Sequence, residues 1–345
     1  MFKMTAPAQP AWVRFAVGAF CAIALLVPTA MASAATGSTD NQSANPLSFG
    51  VIGDTPYGAA QIEAFSDDIA EINSDPHTRA VIHVGDIKSG SSRCDDAYFA
   101  GIRADFDTFR DPLVYTPGDN EWTDCHRASN GGYIPTERLA KLREVFFDQP
   151  GRTLGRRSKP VEHQNAPFVE NVRWMQSRTV FGTLHVVGSN NGLLPWFGAA
   201  AMTAEQSDEV AARTTASLEW IDAIFDKAAS ANSAAVVVAM QADMWDSFAI
   251  AAGQTTGFNG IVERLADRAA AFGRPVLLLQ GDSHEFVADN PLANGSPAHG
   301  VTTPAPNVAR IVVNGASSVP HEWLRVRIDP RTPSVFSWDR IPFGA

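Results

Sequence analysis

Short apolar runs punctuate this chain at residues 49–52, 80–84, 113–115, 183–187, 235–238, 276–279 and 309–313. They are continuous rather than alternating and rich in Val, Ile and Leu, as in strands buried on both faces. Between them the apolar positions fall at steps of three and four. Residues 59–73 carry Ile62, Phe65, Ile69 and Ile72; residues 216–229 carry Leu218, Ile221, Ile224 and Phe225; residues 258–272 carry Ile261, Leu265 and Ala269. Each reads as an amphipathic helix. Strand and helix alternate, so the pattern predicts a layered α/β domain over 47–345. Residues 150–167, with Arg152, Arg156, Arg157 and Lys159, read as a long surface loop.

The N-terminus departs from this pattern. Lys3 and Arg14 are followed by an apolar stretch at 16–27 and by Ala32-Ser33-Ala34, the layout of a signal peptide over 1–34. The stretch falls short of the ~20 residues that a spanning helix needs, although a retained N-terminal anchor is the alternative. Phe20 before Cys21 argues against lipid attachment. Residues 35–46, rich in Ser, Thr, Asn and Gly, read as a disordered lead-in. The chain is therefore expected to be exported, periplasmic or secreted.

Charge narrows the partners. Lys and Arg number 27 against 37 Asp and Glu, a formal net charge of −10, and the signal peptide takes two basic residues with it. No basic block marks a nucleic-acid footprint, and an acidic surface does not favour anionic membranes once the signal is cleaved. A small phosphorylated substrate remains compatible, because a bound metal can dominate the charge of its own pocket. Cys21 leaves with the signal. Cys94 and Cys125 remain, an expected disulfide in an oxidising compartment; two free, buried thiols are the alternative.

The candidate chemistry lies at the ends of the apolar runs. Four of them close on Gly-Asp, giving Asp54, Asp86, Asp119 and Asp282, and a fifth leads into Gln241-Ala242-Asp243. In an open α/β sheet the groups beyond the carboxyl ends of the strands share one crevice. One such Asp is most simply a turn or helix cap. Several converging carboxylates repel and cannot all stay ionised without a cation, so a divalent metal site is expected.

The order of these motifs resembles the calcineurin-like metallophosphoesterases across nearly the whole mature chain. The matching blocks are Gly53-Asp54-Thr55-Pro56-Tyr57, Gly85-Asp86, Gly118-Asp119-Asn120-Glu121, Met240-Gln241 and Gly281-Asp282-Ser283-His284, with Leu218-Glu219-Trp220-Ile221 on the preceding helix. The resemblance implies a four-layer αββα sandwich of two mixed sheets. It also implies two metals about 3.5–4 Å apart and attack on phosphorus by a metal-held hydroxide. By match, Asp86 bridges, Asp54 and His284 serve the first metal, and Asp119, Gln241 and Asp282 surround the second.

The departures matter as much. Pro56 stands where the family has a histidine, Asp119 where it has Asn, and Gln241 and Asp282 where it has His. Asn120 occupies the place of the histidine that protonates the leaving group. Oxygen-rich ligation suits Ca²⁺, Mn²⁺, Fe or Mg²⁺, one or two ions per chain. A working site, a single-metal site and a degenerate one all remain open.

For catalysis, Asn120 could hydrogen-bond a phosphoryl oxygen, and His126, beside Cys125, could serve the leaving group. An exposed loop histidine is the blander account of His126. His83 and His185 read as core histidines, Trp122 as packing, and Asn190 and Asn191 as turn residues. The expected function is an exported, metal-dependent hydrolase of phosphate mono- or diesters. The rival is a non-catalytic, metal-dependent binding protein on the same fold.

Overall fold

The computed structural model describes residues 44–344, so the signal peptide and the lead-in up to residue 43 lie outside the described residues. The first half of the chain runs β1 (Leu47–Ile52), α1 (Gly58–Ser74), β2 (Thr78–His83), α2 (Asp96–Phe106), β3 (Leu113–Tyr115) and α3 (Pro135–Phe146). The second runs β4 (Glu162–His163), β5 (Val172–Gln176), β6 (Thr179–Thr183), α4 (Gly188–Gly192), α5 (Ala204–Ser230), β7 (Ala235–Ala239) and α6 (Ser247–Ala251). It continues through α7 (Asn259–Phe272), β8 (Val276–Gln280), β9 (Val287–Asp289), β10 (Val308–Val312), β11 (Glu322–Ile328) and β12 (Phe336–Pro342).

Two mixed sheets result, a five-stranded one ordered β12-β11-β1-β2-β3 and a seven-stranded one ordered β4-β5-β6-β7-β8-β10-β9. Strands β1, β2 and β3 are parallel, as are β6, β7, β8 and β10, while β11 and β12 in the first sheet and β4, β5 and β9 in the second pair antiparallel with their neighbours.

Alternation along the strands sorts their side chains into layers. Phe49, Val51, Ile82 and Val84 of the first sheet meet Val237, Ala239, Leu277, Leu279 and Ile311 of the second in one buried cluster. Ile52, Val81 and Leu113 point the other way, onto Phe65, Ile69, Phe99, Ile102, Leu139 and Leu142 of α1, α2 and α3. Val236, Val238 and Leu278 pack on Ile221, Ile224, Ile261 and Leu265 of α5 and α7. Helices thus cover the outer face of each sheet of an α/β sandwich.

Several local expectations need correction. Residues 184–187 are not a strand: β6 ends at Thr183, and Leu184, Val186 and Val187 are wholly buried in the connection beyond it. The strand begins earlier because β5 and β6 form a hairpin through Ser177 and Arg178, both with positive φ (51° and 55°) and neither a residue type that signals such a turn. Helix α5 starts twelve positions before the expected segment, at a cap where Thr203 accepts from the Gln206 N–H at 3.1 Å. The loop at 150–167 contains the short strand β4 and is tied down by isolated bridges, Arg152 to Pro160 and Leu113 to Leu154.

Candidate metal centre

The four Gly-Asp turns meet where the strand ends of the two sheets come together. The Asp282 N–H, beyond β8, donates to both oxygens of Asp54, beyond β1, at 3.0 and 3.2 Å. Asp54, Asp86, Asp282 and His284 all adopt positive φ (52°, 57°, 75° and 64°), a conformation L residues rarely take. Four such residues in one crevice mark a built turn set rather than chance strain.

Two of the Gly-Asp glycines, Gly118 and Gly281, make room for carboxylates of other strands, while Gly53 and Gly85 make room for Val84 and Gln241. A Cβ on Gly118 would lie 2.0 Å from Asp86 Oδ1, and one on Gly281 would lie 2.4 Å from Asp54 Oδ2. Gly188, in α4, faces two carboxylates at once: a Cβ there would stand 2.7 Å from Asp282 Oδ1 and 2.9 Å from Asp119 Oδ2. Asp86, Asp119 and Asp282 each offer an oxygen, and these oxygens lie within 4.8 Å of one another.

Electrostatics makes this cluster costly without a cation. Burial, followed by repulsion from neighbouring carboxylates, holds the carboxyls of Asp86 and Asp282 well above the usual range. Asp54 is raised chiefly by its burial as well, although the Asp282 N–H works against this. Lys88 offers partial compensation. Its wholly buried ammonium donates to the Asn120 carbonyl at 2.7 Å and the Ser89 carbonyl at 2.8 Å. The sequence reading missed it; its place two residues after Asp86 was the available signal.

Asp86 is held from several sides. Its Oδ1 accepts from the Asn120 N–H at 3.1 Å, and its Oδ2 from Asn120 Nδ2 at 2.7 Å, Gln241 Nε2 at 3.1 Å and the Tyr57 hydroxyl at 3.3 Å. Asn120 Nδ2 also lies 2.9 Å from the Tyr57 oxygen. Glu121 sits beneath, its Oε1 accepting from the Asp86 and Gly118 N–H groups and the Tyr115 hydroxyl. Its Oε2 is buried and has no hydrogen-bond partner among the described residues.

Gln241 is brought to the centre, where its carboxamide is hydrogen-bonded at both ends. Its Oε1 accepts from the Gly188 N–H at 2.6 Å, which turns the NH₂ toward the carboxylates. Nε2 then donates to Asp86 Oδ2 and, at 3.2 Å, to Asp119 Oδ1. Ser189 Oγ donates to the other Asp119 oxygen at 2.7 Å. His284 Nε2 lies 3.5 Å from Asp54 Oδ1, with its Nδ1 2.7 Å from Ser317 Oγ.

His126 is engaged elsewhere: its Nδ1 accepts from the Phe197 N–H at 2.9 Å, and its ring packs on the Phe197 ring. Both nitrogens of His83 are engaged, by the Thr55 carbonyl and the Gly85 N–H. His185 differs from expectation. Nδ1 lies 2.8 Å from Glu170 Oε1, while Nε2 is buried without a partner among the described residues. Trp122 is wholly buried packing. Asn190 ties α4 to Thr256 and Gly257, and Asn191 donates to Thr214 and the Gly257 carbonyl.

Cys94 and Cys125 form a disulfide. Both sulfurs press on the carbonyl oxygen of Asn120, at 3.7 and 3.8 Å, so the bridge underlies the peptide that carries this residue. Among the described residues no helix is long and apolar enough to cross a membrane.

Neither protein-family models nor curated proteins give a match to this chain. Among solved structures the chain is similar to GAP50, described as the anchor in the inner membrane complex of Plasmodium. The TM-score is 0.44 at 9% identity, over 87% of this chain and 90% of that one. A likeness this distant carries no function across.

Proposed function

We propose that this chain is an exported, metal-dependent phosphoesterase of the calcineurin-like class, acting on phosphate mono- or diesters. The observation that supports the reading most is the convergence of Asp86, Asp119 and Asp282 within 4.8 Å, in a crevice where Gly118, Gly188 and Gly281 leave room for carboxylate oxygens. The same crevice tests whether a metal fits. Buried carboxyls pushed this far above their ordinary range are a donor set awaiting positive charge, and hard oxygen donors suit Ca²⁺, Mn²⁺ or Mg²⁺.

Asp86, Asp119 and Asp282 would hold the cation, with Asp54 and His284 beside them. A bound divalent cation would supply Lewis-acid polarisation of the phosphoryl group and of a water. The chain's own residues position these groups. Tyr57 and Asn120 orient Asp86, which gives the Asn120 amide a positioning role rather than one on the phosphoryl oxygen. Ser189 orients Asp119, and the Asp243 N–H orients Asp282 at 3.2 Å. The disulfide fits an oxidising compartment and supports export.

A second reading, a metal-dependent binding protein without turnover, is favoured by Gln241. Its NH₂ occupies oxygens of Asp86 and Asp119 that a second cation would need. Elemental analysis of the mature protein beside Asp86→Ala, followed by hydrolysis of 4-nitrophenyl phosphate and bis(4-nitrophenyl) phosphate, separates the two. Bound metal that vanishes in the variant, with turnover of either ester, is the result expected. Bound metal without turnover sinks the catalytic reading, and no metal uptake at all sinks both.

A further inference from the structure

The segment that leaves β7 does more than deliver Gln241. Asp243 follows it, its N–H on Asp282 Oδ2 and its own Oδ2 accepting from Ser283 Oγ at 2.9 Å. Arg310, which also pairs with Asp289, and the Trp245 N–H both bond Asp243 Oδ1, so this carboxylate is locked in place. Asp246 then caps α6, accepting from the Ala249 N–H at 2.7 Å. The short helix reads Ser-Phe-Ala-Ile-Ala, yet it buries none of its residues. Phe248 is 84% exposed and Ile250 38%.

An apolar helix held out by a locked anchor needs an explanation, because an exposed phenyl ring gives up the stabilisation that burial would provide. Its position supplies one. Phe248, Ala249 and Ala252 share an open cavity of about 520 Å³ with Asp119 and Asp282, and Leu194 and Phe258 add apolar surface to the lining. No Lys, Arg or His lines this cavity among the described residues, and its charged groups are all Asp. A ligand reaching past the carboxylate cluster therefore meets apolar wall, the neutral polar groups of Ser189, Asn190, Gln254 and Ser283, and negative charge, with no side-chain cation for a second anionic group.

We propose that the α6 cavity holds the alcohol part of the phosphoester, and that this part is neutral and apolar, with an aromatic ring or comparable face against Phe248. The inference rests on the phosphoesterase reading and deepens it by naming the substrate class. The cavity selects by what it lacks: polyphosphates and esters with a carboxylate on the alcohol side leave an anion facing Asp246 unpaired.

The test is calorimetric and needs no turnover. Phenylphosphonate and methylphosphonate are titrated into metal-loaded mature protein and into Phe248→Ala, whose exposed side chain carries no packing on which folding depends. Phenylphosphonate should bind the native protein about tenfold more tightly than methylphosphonate. In Phe248→Ala that preference should disappear while methylphosphonate affinity is unchanged. Equal affinity of the two ligands for the native protein overturns the proposal and leaves the phosphoesterase reading standing, as does a phenyl preference that survives the substitution. Failure of both ligands to bind, with metal retained, overturns the phosphoesterase reading and this inference with it.

Discussion

The Gly188 N–H and the Gln241 carboxamide oxygen lie 2.6 Å apart, and this one bond decides which end of the amide faces the carboxylates. Reversing the amide would set two donors against each other and point an oxygen at Asp86 and Asp119. Gln241 therefore acts as a neutral double donor in the middle of an anionic cluster, where the metallophosphoesterase pattern has a metal-binding histidine. Such a donor lowers the cost of assembling the carboxylates without metal.

Gln241→Glu tests that role. The Gly188 N–H keeps a partner, but the donor to Asp86 and Asp119 becomes a third carboxyl. Metal-free stability should fall by about 2–3 kcal/mol. The rise in melting temperature on adding Ca²⁺ or Mn²⁺ should grow relative to the native protein, since the added oxygen welcomes the cation. Calorimetric melting with and without chelator measures both. An unchanged metal-dependent rise would remove Gln241 from the site's electrostatics.

Gly188→Ala tests the geometry of the cradle. The added methyl would sit 2.7 Å from Asp282 Oδ1 and 2.9 Å from Asp119 Oδ2, well inside contact distance. Neither carboxylate can keep its place, so metal affinity should drop at least about tenfold while the far-UV spectrum is retained. Titration calorimetry with Mn²⁺ reads the first and circular dichroism the second. Native-like affinity would mean that Asp119 and Asp282 do not close on a common ligand.

How far the sequence carries depends on whether the information is local. The strands that end at Ile52, His83, Tyr115 and Gln280 are buried on both faces and declare themselves as apolar runs, together with the Gly-Asp turns that follow. Strands β5, β11 and β12 belong to the antiparallel margins of the sheets and carry mixed buried and exposed patterns, and they escaped the reading. So did the inward fold of Lys88, because its place two residues after Asp86 is the one local sign that separates it from a solvated lysine. Gln241 was legible as a site residue but not as a donor, since its orientation is set by Gly188 on another strand connection. His126 was drawn to the site by its neighbour Cys125, and only the packing of Phe197 shows where its ring goes.

The disulfide supports the site through one peptide. Both sulfurs contact the Asn120 carbonyl, and the same residue's N–H and side chain hold Asp86. Replacing Cys94 and Cys125 together with Ser should cost about 3–4 kcal/mol of stability on the chain-entropy account. Reduction of the native bridge should also weaken metal retention. Metal content that stays the same after complete reduction would confine the bridge to a global role.

Glu170 contributes to the acid limb of stability, away from the metal centre. Burial alone would raise its carboxyl; the His185 hydrogen bond and the Arg143 charge outweigh that and pull it down to about 2. The folded value lies below the ordinary 4.5, so its contribution is present above about pH 4.5 and is lost as pH falls through 2. A difference of that size corresponds to about 3 kcal/mol. Urea unfolding of the native protein and Glu170→Gln across pH 6 to 3 should show the native advantage at its largest near pH 6 and shrinking steadily below 4.5. A stability gap that does not change with pH would instead assign the loss to packing around His185 and Arg143, with no part for the carboxylate's charge.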